Sequence, residues 1–366
     1  MKTRFRSFFW LLLLPLVLAI FLGIGLYRMS SSGGPSPPKA VTASQDRILF
    51  FRMGGEKPGL ISVNLDGTDE SVVFDKQRQI AEHIAPLQVR VSADGKRLLY
   101  LTEEPPGPGW QPELNGLWVA NVDGSNPKRL AQGTIDFCVR AAAWAGDSDL
   151  IAFIKTPASL SVISEGAELW LTKGDGTGMR MLAKDPRLVP EGARLWWTGS
   201  KLITWQTSRD ILAFDLGSDQ IVTLAEGTDS IYAAFSPDGT KVALSERVAT
   251  DRLKLADVTI VRVPGGAIWD GTGSRVVYNF KRVYSPTESK EGLWLLDVAS
   301  GKERLLIDVS EEPATAHAMS PDGRFVLYWS PIEGLKLMDI ASGRRWVIGA
   351  APPEKAIIWF VDWVRG

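Results

Sequence analysis

Ser236-Pro237-Asp238-Gly239 sits between an apolar run ending in Phe235 and another beginning at Val242, and Ser320-Pro321-Asp322-Gly323 repeats it in the same setting. Serine and aspartate side chains bond to nearby backbone and glycine admits positive φ, so the quartet reads as a tight turn joining two strands. A turn that recurs with matching flanks marks a structural repeat. Degenerate copies stand at Ser92-Ala93-Asp94-Gly95, Gly146-Asp147-Ser148 and Gly271-Thr272-Gly273-Ser274.

Working outward from each turn, the unit reads as four short strands, a to d, of alternating apolar and polar character. The a strands precede the turn at 87–92, 140–145, 193–198, 231–236, 266–271 and 316–320, and the b strands follow it, as in RLLYLT, KVALSE and RFVLYW. The c strands at 116–126, 168–178, 211–220, 292–302 and 334–344 run into Asp-Gly or Ser-Gly pairs that suit tight hairpins. Short d strands such as KRLAQ and RLLID complete each sheet, and the fifth unit is the weakest, with KLADVTI and VRVPG compressed into few residues. The N-terminal unit has b (47–51), c (60–67) and d (71–75) but no a strand, while AIIWFVDWV (356–364) reads as an a strand with nothing after it. Joining them closes a ring and removes an exposed sheet edge. The expectation is an all-β fold over residues 46–366: a seven-bladed β-propeller of four-stranded antiparallel blades, closed by the C-terminal strand on the N-terminal blade.

This pattern resembles the TolB-type β-propellers, a WD-repeat-like family marked by F/W-S-P-D-G turns, an apolar strand, and then L-W-V-x-D-x-x-S/D-G. The resemblance covers residues 47–366 and is closest at 230–245 and 316–344. It implies a kinship with protein-interaction modules and with the accessory propellers of serine peptidases. The turn motif is structural and transfers no function by itself.

Residues 1–7 carry Lys2, Arg4 and Arg6, and Phe8 to Tyr27 holds no charge. As a helix that stretch would be about 30 Å long, the thickness of a bilayer's hydrocarbon core. With only Arg28 following closely, the positive-inside bias keeps the N-terminus cytoplasmic and the rest outside, periplasmic or extracellular. A cleaved signal peptide is the competing reading, but the apolar stretch is long and Leu26-Tyr27-Arg28-Met29 lacks small residues for cleavage. We therefore expect a single-pass anchor at 8–27. Residues 28–45, rich in Ser, Gly and Pro, read as a flexible tether with a span of about 20–25 Å. Cys138 is the only cysteine, so it excludes both an intramolecular disulfide and a lipidated N-terminus.

Lys and Arg total 41 against 42 Asp and Glu, which gives no electrostatic footprint for nucleic acid. No G-x-S-x-G elbow occurs, and the only histidines are His83 and His317, too few and too separated for the metal site of a propeller lyase. Asp66-Gly67, Asp123-Gly124 and Asp175-Gly176 suit hairpin turns better than calcium, since no EF-hand spacing accompanies them. Catalytic, cofactor and metal residues are expected to be none. Trp118, Trp170 and Trp294 hold one place in successive c strands, which points to packing between blades rather than to sugar stacking.

Three b–c connections are long: 103–116, 155–167 and 281–291. In an up-and-down propeller the b–c and d–a connections share one face, so these loops would form a common surface opposite the tight turns. Loops carry function, and Trp110, Glu113, Ser161, Ile163, Tyr284 and Glu288 are the candidate partner-binding residues. Because the tether enters at a b strand on the tight-turn face, the long loops would point away from the membrane. The favoured function is a non-enzymatic, membrane-anchored extracytoplasmic scaffold binding a protein or envelope component. The alternative is a cell-surface glycan-binding or glycan-processing propeller, recognisable by Asp or Glu clustered with Trp or Tyr around one concave mouth. The sequence sets no oligomeric state.

Overall fold

The computed structural model describes residues 45–53, 58–75, 89–102, 114–146, 148–157, 166–187, 195–198, 202–206, 211–225, 233–245, 259–264, 266–285, 288–350 and 357–364. The regular structure of these residues is β. The N-terminal unit supplies β1 (Arg47–Met53), β2 (Gly59–Asn64) and β3 (Ser71–Asp75). Blade two is β4 (Arg90–Val91), β5 (Arg97–Thr102), β6 (Gly116–Asn121) and β7 (Lys128–Gln132). Blade three is β8 (Phe137–Trp144), β9 (Leu150–Pro157), β10 (Ala167–Lys173) and β11 (Arg180–Asp185). Blade four is β12 (Leu195–Thr198), β13 (Leu202–Gln206), β14 (Ile211–Asp215) and β15 (Gln220–Ala225). The fifth sheet holds β16 (Ala233–Phe235), β17 (Lys241–Ser245) and β18 (Thr259–Val263). Blade six is β19 (Ala267–Trp269), β20 (Arg275–Ser285), β21 (Glu288–Asp297) and β22 (Glu303–Asp308). Blade seven is β23 (Thr315–Met319), β24 (Phe325–Ser330), β25 (Gly334–Asp339) and β26 (Arg345–Ala350), and β27 (Ile357–Val364) ends the chain.

The ring closes between the two ends of the chain. β27 pairs antiparallel with β1, from Arg47 opposite Val364 to Met53 opposite Ile357, so the first blade reads β27-β1-β2-β3. A bulge at Leu49/Phe50 adjusts the register. The a strands pack side by side around the axis: β27 against β4, β4 against β8, β8 against β12, β16 against β19, β19 against β23, and β23 against β27.

The fifth sheet corrects the expectation of seven four-stranded antiparallel blades. Among the described residues six blades are complete, four-stranded and antiparallel, whereas the fifth sheet has three strands, and β18 runs parallel to β17. β18 takes the place of a c strand with the direction of a d strand. That direction delivers the chain to the start of β19 after a short link, whereas a parallel pair needs a long crossover, here residues 246–258. The expected membrane span, 8–27, and the tether up to residue 44 lie outside the described residues. No helix among the described residues is long and apolar enough to cross a membrane.

Strict alternation also gives way at the b and c positions. β2 and β5 are buried almost throughout, because a blade interior packs against a neighbour on each face and neither face meets water. The d strands β3, β7 and β11 form the exposed rim. Tyr100, Phe153 and Tyr278 on the b strands stand directly opposite Trp118, Trp170 and Trp294 on the c strands. Tyr100 stacks on Trp118 at 6.2 Å between ring centroids, and Phe153 on Trp170 at 6.3 Å. Trp118 joins the core between blades one and two, Trp170 that between two and three, and Trp294 that between five and six. The c-strand tryptophans are therefore packing residues, as the repeat implied. Cys138 is buried and free.

Candidate functional site at the mouth of the central channel

The turns between a and b strands are built alike. Ser236 Oγ donates to Asp238 Oδ1 at 2.5 Å and accepts the Lys241 N–H at 2.9 Å, while Gly239, at φ +72°, donates its N–H to Ser236 O. Ser320 does the same with Asp322 and Phe325, and Ser92 with Asp94 and Arg97. In blade six Asp270 replaces the serine, its carboxylate accepting from Thr272 Oγ1, Ser274 N and Arg275 N. These bonds hold the Asp94 and Asp238 carboxyls below the usual carboxylate range. For Asp94 the leading cause is the Ser92 hydroxyl; for Asp238 the Ser236 and Thr240 hydroxyls outweigh an opposing burial effect.

The turns converge on one end of the ring axis. Ala93, Pro237, Gly271 and Pro321, from four blades, meet Asp362 and Trp363 of β27 around a cavity of about 260 Å³, with Trp269 and Met319 in its wall. Asp362 is half-buried and joins blade one to blade two: its Oδ2 accepts the Val91 N–H at 2.9 Å and its Oδ1 the Trp363 N–H at 2.9 Å. Burial raises its pKa, with the Val91 N–H and Arg90 opposing. Trp269 is buried and donates to Ala234 O at 2.7 Å. The buried indole N–H of Trp363 has no acceptor among the described residues.

A second cavity, about 700 Å³, opens on the same face between blades six and seven, where Arg275, Lys302, Arg304 and Arg324 intermingle with Asp297, Glu303 and Asp322. Its charges are already engaged. Arg304 donates to Ile340 O, Arg324 pairs with Asp339, Tyr278 donates to Glu303, and Asp297 accepts from Ser300.

The long-loop candidates fare differently. Trp110, Glu113, Ser161 and Ile163 lie outside the described residues. The root of the Trp110 loop is fixed: Thr102 Oγ1 donates to Leu114 O, and Asn115 exchanges bonds with Val139 of the next blade. Tyr284 and Glu288 are not in a loop at all. β20 and β21 continue as a paired ribbon to Ser285 opposite Glu288, which corrects the reading of 281–291 as a loop. No local pattern announces the channel-mouth cavity, because its walls come from turns and a terminal strand far apart along the chain.

Asp66, Asp123 and Asp175 each accept both the N–H and the hydroxyl of the residue two positions on, so their carboxylates serve the c–d turns. Among the described residues no group of three His, Cys, Asp or Glu is placed to hold a metal. His83 lies outside the described residues, and His317 is partly buried in β23, which lowers its pKa.

No family model matches the chain, and no curated protein sequence matches it significantly. Among solved structures it is similar to TolB from Acinetobacter baumannii, with 12% identity, 94% of this chain and 71% of that one covered, and a TM-score of 0.50. A nidogen/laminin complex (13% identity, 82% and 92% covered, TM-score 0.43) and oligogalacturonate lyase from Vibrio parahaemolyticus (13%, 81% and 75%, TM-score 0.38) are more loosely alike. The first likeness establishes the fold, a β-propeller similar to that of TolB. At these identities it establishes nothing about activity.

Proposed function

We propose that the chain is a non-enzymatic, membrane-anchored extracytoplasmic propeller that binds a protein partner, taking a polypeptide segment at the mouth of its channel. The carrying observation is the convergence of turns from separate blades, together with Asp362 and Trp363, on one open cavity. A polypeptide brings backbone N–H donors for the half-buried Asp362 carboxylate and apolar side chains to lie against Pro237 and Pro321. The reading of 8–27 as the anchor and of 28–45 as the tether belongs to this proposal, and it turns the channel mouth toward the membrane. Binding of an envelope component by the segments that carry Trp110, Glu113, Ser161 and Ile163, outside the described residues, also belongs to this proposal.

The glycan reading asked for Asp or Glu clustered with Trp or Tyr around one concave mouth. Asp270 and Asp362 are there with Trp269 and Trp363, but both rings are buried and Asp270 is consumed by its turn. That favours the protein partner.

Photo-crosslinking residues at positions 93, 237 and 321 in the full chain test the reading. Capture of one protein species from all three, competed by excess unmodified chain, is the expected result. Capture from 110 and 161 alone would move the site to the opposite face, and capture of glycan in place of protein would overturn it.

A further inference from the structure

β20 and β21 run for 11 and 10 residues, while the other b and c strands have 5 to 8. Their neighbours stop early. β19 pairs only with Val276 to Tyr278 on the inner edge of β20, and β22 pairs with Gly292 to Leu296 on the outer edge of β21, extended by Val309 N–H to Glu291 O. Beyond that, Lys281–Ser285 and Glu288–Lys290 pair with each other alone among the described residues. The free-standing arm is about 17 Å long, five residues at about 3.4 Å each.

The root of this arm is stapled. Asn279 Nδ2 donates to Ala314 O at 2.8 Å and Asn279 Oδ1 accepts the Ala316 N–H at 3.0 Å, tying β20 to the approach and first strand of blade seven. Trp294 Nε1 donates across the ribbon to Phe280 O at 3.2 Å. The root of the arm is therefore anchored, while its inner edge, from Lys281 onward, has no backbone partner among the described residues. A two-stranded ribbon is marginal on its own, and a third strand would stabilise it.

We propose that this edge of β20 receives an extended, acidic strand of a partner protein by strand addition. Backbone hydrogen bonds select an extended chain, and residue chemistry selects its charge. Lys281 and Arg282 are successive residues of this edge strand, followed by Val283 and Tyr284. The complementary strand carries acidic residues against Lys281 and Arg282 in register and apolar residues beyond. A second copy of this chain is disfavoured, because edge-to-edge pairing of two β20 strands brings the same two cations together. The proposal rests on the protein-binding reading but not on the channel mouth, which lies at the opposite end of the ring.

The test uses the full chain in detergent micelles and a fluorescein-labelled peptide of alternating glutamate and valine, followed by anisotropy at low and high salt. Binding is expected, weakened by salt and reduced at least about tenfold when alternate peptide amides are N-methylated. Val283→Pro, which removes an edge N–H, has the same effect. Should that variant misfold, Lys281→Glu/Arg282→Glu keeps the test alive by switching preference to a lysine–valine peptide. Pro237→Ala at the channel mouth leaves binding unchanged, so failure here and failure of the crosslinking there are separate results. Absence of binding, binding indifferent to N-methylation and to the charge swap, or a dimer that Val283→Pro dissolves would each overturn the proposal.

Discussion

Lys336 stands where the repeat elsewhere places tryptophan. It faces Tyr328 across β24 and β25 as Trp118 faces Tyr100 and Trp294 faces Tyr278, yet it is only 7% exposed. A lone ammonium at such depth would be intolerable, and the chain surrounds it: Glu312 Oε1 at 2.7 Å, Glu333, and the Tyr328 ring at 5.8 Å. Glu312, itself 8% exposed, also accepts from Tyr328 OH at 3.1 Å and from Arg345 at 3.4 Å. Breaking one partner of a buried pair leaves the other uncompensated, so Lys336→Met should cost about 3 kcal/mol in urea unfolding. Lys336→Met with Glu312→Gln should recover most of that loss; an additive double variant would contradict the pairing. His317 supplies a pH dependence. Burial lowers its folded pKa below the ordinary 6.5, so it contributes stability above about pH 6.5 that is lost as pH falls through its folded value. Unfolding midpoints should decline from pH 7 toward 5, and His317→Gln should flatten that decline.

Among elements, the tight turn was the most legible from sequence, because its hydrogen bonds close within six residues. Gly323 shows how little freedom remains. It sits at φ +68°, and a Cβ there would approach Asp270 Oδ2 of the neighbouring turn to 2.7 Å. Gly323→Ala should therefore destabilise by about 1–3 kcal/mol, through backbone strain and through disturbance of blade six. A loss of only a few tenths in denaturant titration would contradict this. The turn carboxylates add a second pH effect. The pKa values of Asp94, Asp123 and Asp238 are lowered by hydrogen bonds to neighbouring hydroxyls and N–H groups. Their stabilisation is present above about pH 3.8 and disappears as pH falls through the depressed values. Two elements escaped the sequence for the opposite reason. β18 is set by a parallel pairing across residues 246–258, which no local pattern announces. Ser285-Pro286-Thr287-Glu288 looks like a loop until register shows the strands on each side still paired.

At the scale of the molecule, the ring and its two faces were readable from the unpaired b-c-d unit at one end and the unpaired a strand at the other. The candidate site was readable only in part. Sequence placed interest on the long-loop face, whereas the channel-mouth cavity and the cavity between blades six and seven open on the tight-turn face, where segments remote in sequence converge. Closure holds both faces in place: Asp362 bridges to Val91, and Trp346 of blade seven donates to Leu65 O of blade one at 2.7 Å. The direct test is an engineered disulfide between positions 52 and 358, which stand opposite each other on β1 and β27, in a full chain also carrying Cys138→Ser. Closure predicts that Arg52→Cys/Ile358→Cys oxidises within one chain and raises Tm. Thiols that stay reduced, or that join only separate chains, would contradict it.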